Sequence, residues 1–154
     1  METNNSEERL LLLLRQQQSK YAVPVENVEE ILTIPDITAM PQQPGFLRGV
    51  FSYKGRIVPV LSLQAISGYK VGADEAVCVV LKMGEILLAL TADSAESLIS
   101  DDGQRMGADR SMMNGELIKF DCVLPGTPAI LVLDLKETYE AAKGHMNPGM
   151  AVAI

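Results

Sequence analysis

The chain has 154 residues, 47% hydrophobic and 21% charged, which suits one compact unit or two small ones sharing a core and excludes a disordered chain. Its formal net charge of -7 argues against a nucleic-acid binder, which needs a basic surface to displace phosphate counterions, and against an anionic lipid surface. The early apolar run Leu10 to Leu14 is far shorter than the roughly 20 residues of a membrane-spanning helix, and METNNSEER lacks a secretory-signal pattern, so a cytoplasmic protein without direct membrane insertion is expected.

In chain order, Arg9 to Gln17 predicts a strand, Gln18 to Lys20 a polar turn and YAVPV a second strand. In ENVEEIL, Val28, Ile31 and Leu32 fall on one side of a helical turn, while Glu26, Glu29 and Glu30 fall largely on another. That spacing predicts a short helix with a wet acidic edge, stopped by Pro35. ITAMPQQPG reads as an extended piece and a proline-marked loop. VFSYKGRIVPVLSL then reads as two strands around a Lys-Gly-Arg turn, with a short helix over Leu63 to Ser67.

Ile57, Val58, Val60 and Leu61 leave almost no face of that second strand for water. Either the other half of the chain or a partner protein must cover it. Pro59 has no N–H for a central ladder, so it predicts an edge or a bulge.

After SGYKVGADEA the layout begins again. AVCVVL, a Lys-Met-Gly-Glu turn and ILLALTADSAESLI give strand, turn, strand and an amphipathic segment. YAVPVENVEEIL aligns with LALTADSAESLI, matching Ala22 with Ala89, Glu29 with Glu96 and Ile31 with Leu98. IVPVLSLQAI and AILVLDLKET both run from a strand through Ser62 or Asp134 into a helical pattern, and these residue types cap helix starts. Asp134 with Glu137 resembles a capping box. The expectation is a single domain over 1–154 made of two pseudo-repeated β-subdomains, with a linker near 67–76 and a tail over 144–154.

No catalytic constellation is visible. The acidic residues read as solvated carboxylates on helix edges and in SDDGQRMGADRS, and His145 stands in a GHMNPG turn without a nucleophile motif beside it. GADEA and SDDGQRMGADR lack the alternating ligands of a calcium loop. Cys78 and Cys122 lie in apolar strand patterns and read as buried free thiols. No metal site, cofactor or enzymatic activity is expected. Arg48, Lys54 and Arg56 gather cations near one hairpin of an otherwise acidic chain, where one is able to pair with a carboxylate such as Glu30.

YAVPVENVEEIL, ITAMPQQPGFLRGVFSYKGRIVPVLSL and, more loosely, AVCVVLKMGEILLALTADSAESLI and AILVLDLKETY together resemble the CheW-like domain family, from Leu10 to about Tyr139. The resemblance implies an all-β fold with short helices, two intertwined five-stranded SH3-like barrels with a hydrophobic groove between them. It implies a non-catalytic adaptor that couples chemoreceptor cytoplasmic tips to the regulatory domain of the histidine kinase CheA in chemotaxis. Val28, Glu30, Ile31, Arg48, Lys54 and Arg56 then become receptor- or kinase-binding residues, and Pro24, Gly49, Gly55 and Pro59 mark the structural motif. The chain departs from the family pattern in places: Lys54 stands where Arg is usual, Ser62 where Asp is usual, and Ala92-Asp93-Ser94 only partly keeps a common Val-Asp-Ser pattern. An adaptor of a different chemosensory-type pathway, such as surface motility, and a small-ligand-sensing barrel are the competing readings.

Overall fold

The computed structural model describes residues 8–41, 43–66, 75–101 and 120–144. The linker beyond Ile66, most of SDDGQRMGADRS and the tail with His145 lie outside them.

The strands are β1 (Arg9–Gln16), β2 (Ser19–Pro24), β3 (Val28–Thr33), β4 (Leu47–Tyr53), β5 (Arg56–Ser62), β6 (Val77–Met83), β7 (Ile86–Ala92), β8 (Ser94–Asp101), β9 (Phe120–Leu124) and β10 (Ile130–Leu133). Two helices, α1 (Leu63–Ile66) and α2 (Leu135–Gly144), follow β5 and β10. Ser62 Oγ accepts the Ala65 N–H at 3.1 Å and Asp134 Oδ1 accepts the Glu137 N–H at 3.0 Å, so both expected caps start their helices.

These elements form two five-stranded sheets, ordered β8-β1-β2-β10-β9 and β3-β6-β7-β5-β4. Each half donates one strand to the other: β3 leaves the first sheet to pair with β6, and β8 leaves the second to pair with β1. Replacing β1, β2, β8, β9 and β10 by β6, β7, β3, β4 and β5 turns one order into the other.

The registers agree residue by residue. Val60 pairs with Ala89 in the parallel β5/β7 ladder, and Val132 with Ala22 in β10/β2. The β1–β2 and β6–β7 hairpins turn at Gln17 and Gly84, with φ of 55° and 62°. Bulges also coincide, with Glu29 and Glu96 the extra residues in β3 and β8, and Arg48 and Asp121 the extra residues in β4 and β9.

The segment expected to be helical is instead a 3-10 turn, Val25–Asn27, leading into strand β3. The bulge at Glu29 is the physical reason. It puts Val28 on the same face as Ile31, opposite Leu81 and Val79, while Leu32 pairs with Cys78 on the other face. Apolar residues at 28, 31 and 32 therefore follow a helical spacing on a strand. The amphipathic segment ADSAESLI is likewise strand from Ser94 onward, in β8.

Three apolar clusters divide the core. Val58, Val60, Cys78, Val80 and Ala89 pack on one face of the second sheet, and Leu11, Ala22, Cys122 and Val132 on one face of the first. A larger cluster joins the remaining faces, bringing Leu12, Leu14, Tyr21 and Val23 together with Leu61, Leu63, Val79 and Leu90. The other half of the chain thus covers the second face of β5 at Leu61, while Ile57 stays 58% exposed.

β5 is interior to its sheet, so Pro59 does not mark an edge strand. Its missing N–H is tolerated because the ladder to β7 begins only at Val60. Both cysteines are buried thiols outside any disulfide, and burial pushes the Cys78 thiol up to about 11.

Candidate functional site

The surface around the β4–β5 hairpin is built from β3, β4 and their connections. β3 and β4 are opposite edges of one sheet, yet the Tyr53 hydroxyl donates to Glu30 Oε1 at 2.7 Å, joining the two edges. Lys54, at φ 51° in the turn, holds its ammonium 5.3 Å from the Tyr53 ring centroid. The Arg56 guanidinium donates to the Glu85 carbonyl in the neighbouring β6–β7 turn. Glu30 therefore has tyrosine, and not the expected hairpin cation, as its close partner.

Gly49 has a φ of 138°, and a Cβ there would lie 2.2 Å from the Thr38 carbonyl oxygen. The absent side chain lets Thr38 and Val50 exchange backbone hydrogen bonds of 2.8 and 2.9 Å, which ties Thr38 to β4. Gly55 has a φ of 79° with open space around it, so turn conformation alone requires it. Pro24 ends β2 ahead of the 3-10 turn.

Arg48 points elsewhere. Its guanidinium lies 3.4 Å from Glu75, whose side chain is fully buried. The Ser62 hydroxyl donates to both oxygens of that carboxylate at 2.9 and 3.0 Å. The Thr91 hydroxyl and the Gln64 N–H complete the seat at 2.9 and 3.1 Å. Burial raises the Glu75 pKa, opposed by these hydrogen bonds and by Arg48.

A carboxylate in GADEA reads as solvated because a polar linker precedes it, and no periodic signal marks its burial. Asp101, expected in a wet loop, is also buried, with Arg9 bridging it at 3.0 Å to Asp121 at 2.8 Å. Arg9 thereby links the first sheet's edges β8 and β9, as Tyr53 and Glu30 link those of the second.

Two exposed large apolar side chains lie on edge strands. Ile31 is 46% exposed on β3 and Leu98 60% exposed on β8, at equivalent registers, with Leu10 at 56% beside Leu98 on the same face. Val28 is different: it is partly buried against the central cluster.

A family model described as the CheW-like domain matches residues 10–142. The chain belongs to the CheW-like domain family. The crystal structure of scaffolding protein TtCheW from Thermoanaerobacter tengcongensis has the same fold, with a TM-score of 0.74 at 17% identity, covering 86% of this chain and 92% of that one.

Among curated relatives, chemotaxis protein CheW of Thermotoga maritima is 35% identical over 80 residues, 52% of this chain and 48% of that protein. Chemotaxis protein CheW of Helicobacter pylori is 35% identical over 69 residues, 45% of this chain and 42% of that protein. Protein FrzA of Myxococcus xanthus is 41% identical over 44 residues, 29% of this chain and 28% of FrzA. The matched stretches span about half or less of these relatives. Ser62, where the resemblance implies Asp, has the carboxylate of Glu75 beside it.

Proposed function

We propose that this chain is a non-catalytic chemotaxis adaptor in the cytoplasm, coupling chemoreceptor cytoplasmic tips to the regulatory domain of the histidine kinase CheA. The observation that carries the reading is the exposed Ile31 on edge strand β3 of a CheW-like fold. An apolar anchor flanked by charge is the usual composition of an interaction hot spot and its rim.

On this reading Ile31 is the apolar contact on one face of β3, and Glu30, Lys54 and Arg56 are charged contacts at the β4–β5 hairpin, reached from the opposite face. Val28 supports that contact from inside through the central cluster, while Arg48 lies apart from it at Glu75. Signal passes as a change of relative geometry between partners, with no bond made or broken. Pull-down of the purified chain against a receptor tip and a CheA regulatory domain from the same organism tests it; binding to neither by a folded protein would sink the assignment. The FrzA similarity favours a second reading, an adaptor of a different chemosensory-type pathway. Binding to the receptors and kinase of that pathway alone would select it.

A further inference from the structure

The chain passes between the two sheets at equivalent joints, β2 to β3 and β7 to β8. Gln16–Ser19 is the last pair of the β1–β2 ladder as Met83–Ile86 is of β6–β7, so Gln16 stands for Met83 and Arg15 for Lys82. Met83 and Ile86 pack against the central cluster. Gln16 shares its strand face with Leu12 and Leu14, both members of that cluster, and is only 1% exposed. A polar amide thus occupies a place where the other half has an apolar side chain.

At the β2–β3 joint the Asn27 side-chain amide donates to the Lys82 carbonyl at 2.9 Å, a direct bond. At the β7–β8 joint the Asp93 N–H donates to the equivalent Arg15 carbonyl at 3.0 Å, and Asp93 Oδ2 accepts the Gln17 N–H at 2.6 Å. Asp93 is thereby fixed to both chain neighbours of Gln16. Its other oxygen, Oδ1, is buried without a hydrogen-bond partner, and so are Oε1 and Nε2 of the Gln16 amide. Among the described residues no other buried side-chain nitrogen or oxygen is left so.

Buried amides and carboxylates left unpaired are costly, and neighbouring buried polar groups that do not bond each other directly are joined by enclosed water. The occupant has to accept from Nε2–H and donate to Oδ1. A metal cation accepts no hydrogen bond and a halide donates none, whereas water does both. The described residues also hold no group of three or more metal-ligating side chains. We propose that the β7–β8 joint encloses an ordered water molecule bridging the Gln16 amide and Asp93 Oδ1. The bridge fastens the crossing at which β8, with its exposed Leu98, begins. The inference stands apart from the adaptor reading and uses none of its residues.

Water-selective NOE and ROE spectra of the isotope-labelled full chain test it. The Gln16 side-chain NH2, assigned by through-bond correlation, is expected to show an NOE to water of the sign that marks a molecule held in place rather than diffusing past. Relaxation dispersion of the water signal should show one long-lived water fewer in Gln16→Met, which installs the residue of the other half. Absence of that NOE at the Gln16 amide, or an unchanged dispersion in folded Gln16→Met, would overturn the proposal. The NOE is read on the unaltered chain, so it decides the matter where Gln16→Met does not fold.

Discussion

The Tyr53 hydroxyl, 2.7 Å from Glu30 Oε1, fastens β4 to β3 across the open side of one sheet. That bond to the Glu30 carboxylate, then burial, pushes the Tyr53 pKa from 10.0 up to about 12. A phenol whose folded pKa lies above its unfolded one adds stability that is full below pH 10.0 and lost as pH rises through about 12. Tyr53→Phe should cost about 1 kcal/mol at neutral pH and flatten the alkaline fall of stability. Denaturant titrations at neutral and alkaline pH would show both effects, and an unchanged alkaline slope would refute the link.

Gly49 and Gly55 both have positive φ, but only Gly49 is also crowded. Gly49→Ala has to push Thr38 away and break its paired hydrogen bonds with Val50, so a loss above about 2 kcal/mol is expected. Gly55→Ala meets no atom within 4 Å and should cost about 1 kcal/mol from conformation alone. Comparable losses in the two variants would mean that the Thr38 contact contributes nothing.

The difference between what sequence conveys and what it hides lies in which residues keep strict alternation. β1, β4, β5, β6 and β7 are legible because apolar runs ended by turn residues have few other uses. The repeated layout is legible because Ser62 and Asp134 follow similar strands. β3 is not, since one bulge residue turns a two-residue period into a helical one. Pairing between halves is equally hidden: nothing in the text around Glu75 tells that Ser62, Thr91 and Arg48, distant in sequence, converge on it. Charged residues were legible as chemistry and illegible as partners.

Ile31 and Val28 separate binding from folding. Ile31→Glu replaces a half-exposed side chain and should change stability by less than about 0.5 kcal/mol, while weakening the receptor or kinase complex at least about tenfold. Val28→Glu drives a charge against the central cluster and should destabilise by about 2 kcal/mol or more. Thermal melts alongside binding isotherms would distinguish them. Full binding by folded Ile31→Glu would remove β3 from the interface.

Glu75 gives the chain an acid-side pH dependence of unusual sign. Burial, against the pull of its hydrogen bonds, raises its pKa above the ordinary 4.5, so the folded state holds its proton more tightly than the unfolded one. Its contribution therefore falls as pH rises from 4.5 through the raised value and levels off above it. Glu75→Gln should remove that slope. Glu75→Ala should cost about 3 kcal/mol at neutral pH by leaving Arg48 and the two hydroxyls without their acceptor. Stability measured across this range in the three proteins decides it, and a slope retained in Glu75→Gln would assign the effect to other carboxylates.

Ser62 is where the family pattern has Asp, and its hydroxyl touches both oxygens of Glu75. One carboxylate at the head of α1 is accommodated by Thr91, the Gln64 N–H and Arg48; a second has no donor left and faces a like charge in a buried site. Ser62→Asp alone should therefore lose about 2–4 kcal/mol, although it restores the family's usual residue. Combined with Glu75→Ser, which returns a hydroxyl where the carboxylate was, most of that loss should be recovered. The coupling between the two changes should reach about 1–3 kcal/mol. Purely additive losses in the double-mutant cycle would show that Glu75 does not stand in for the missing aspartate.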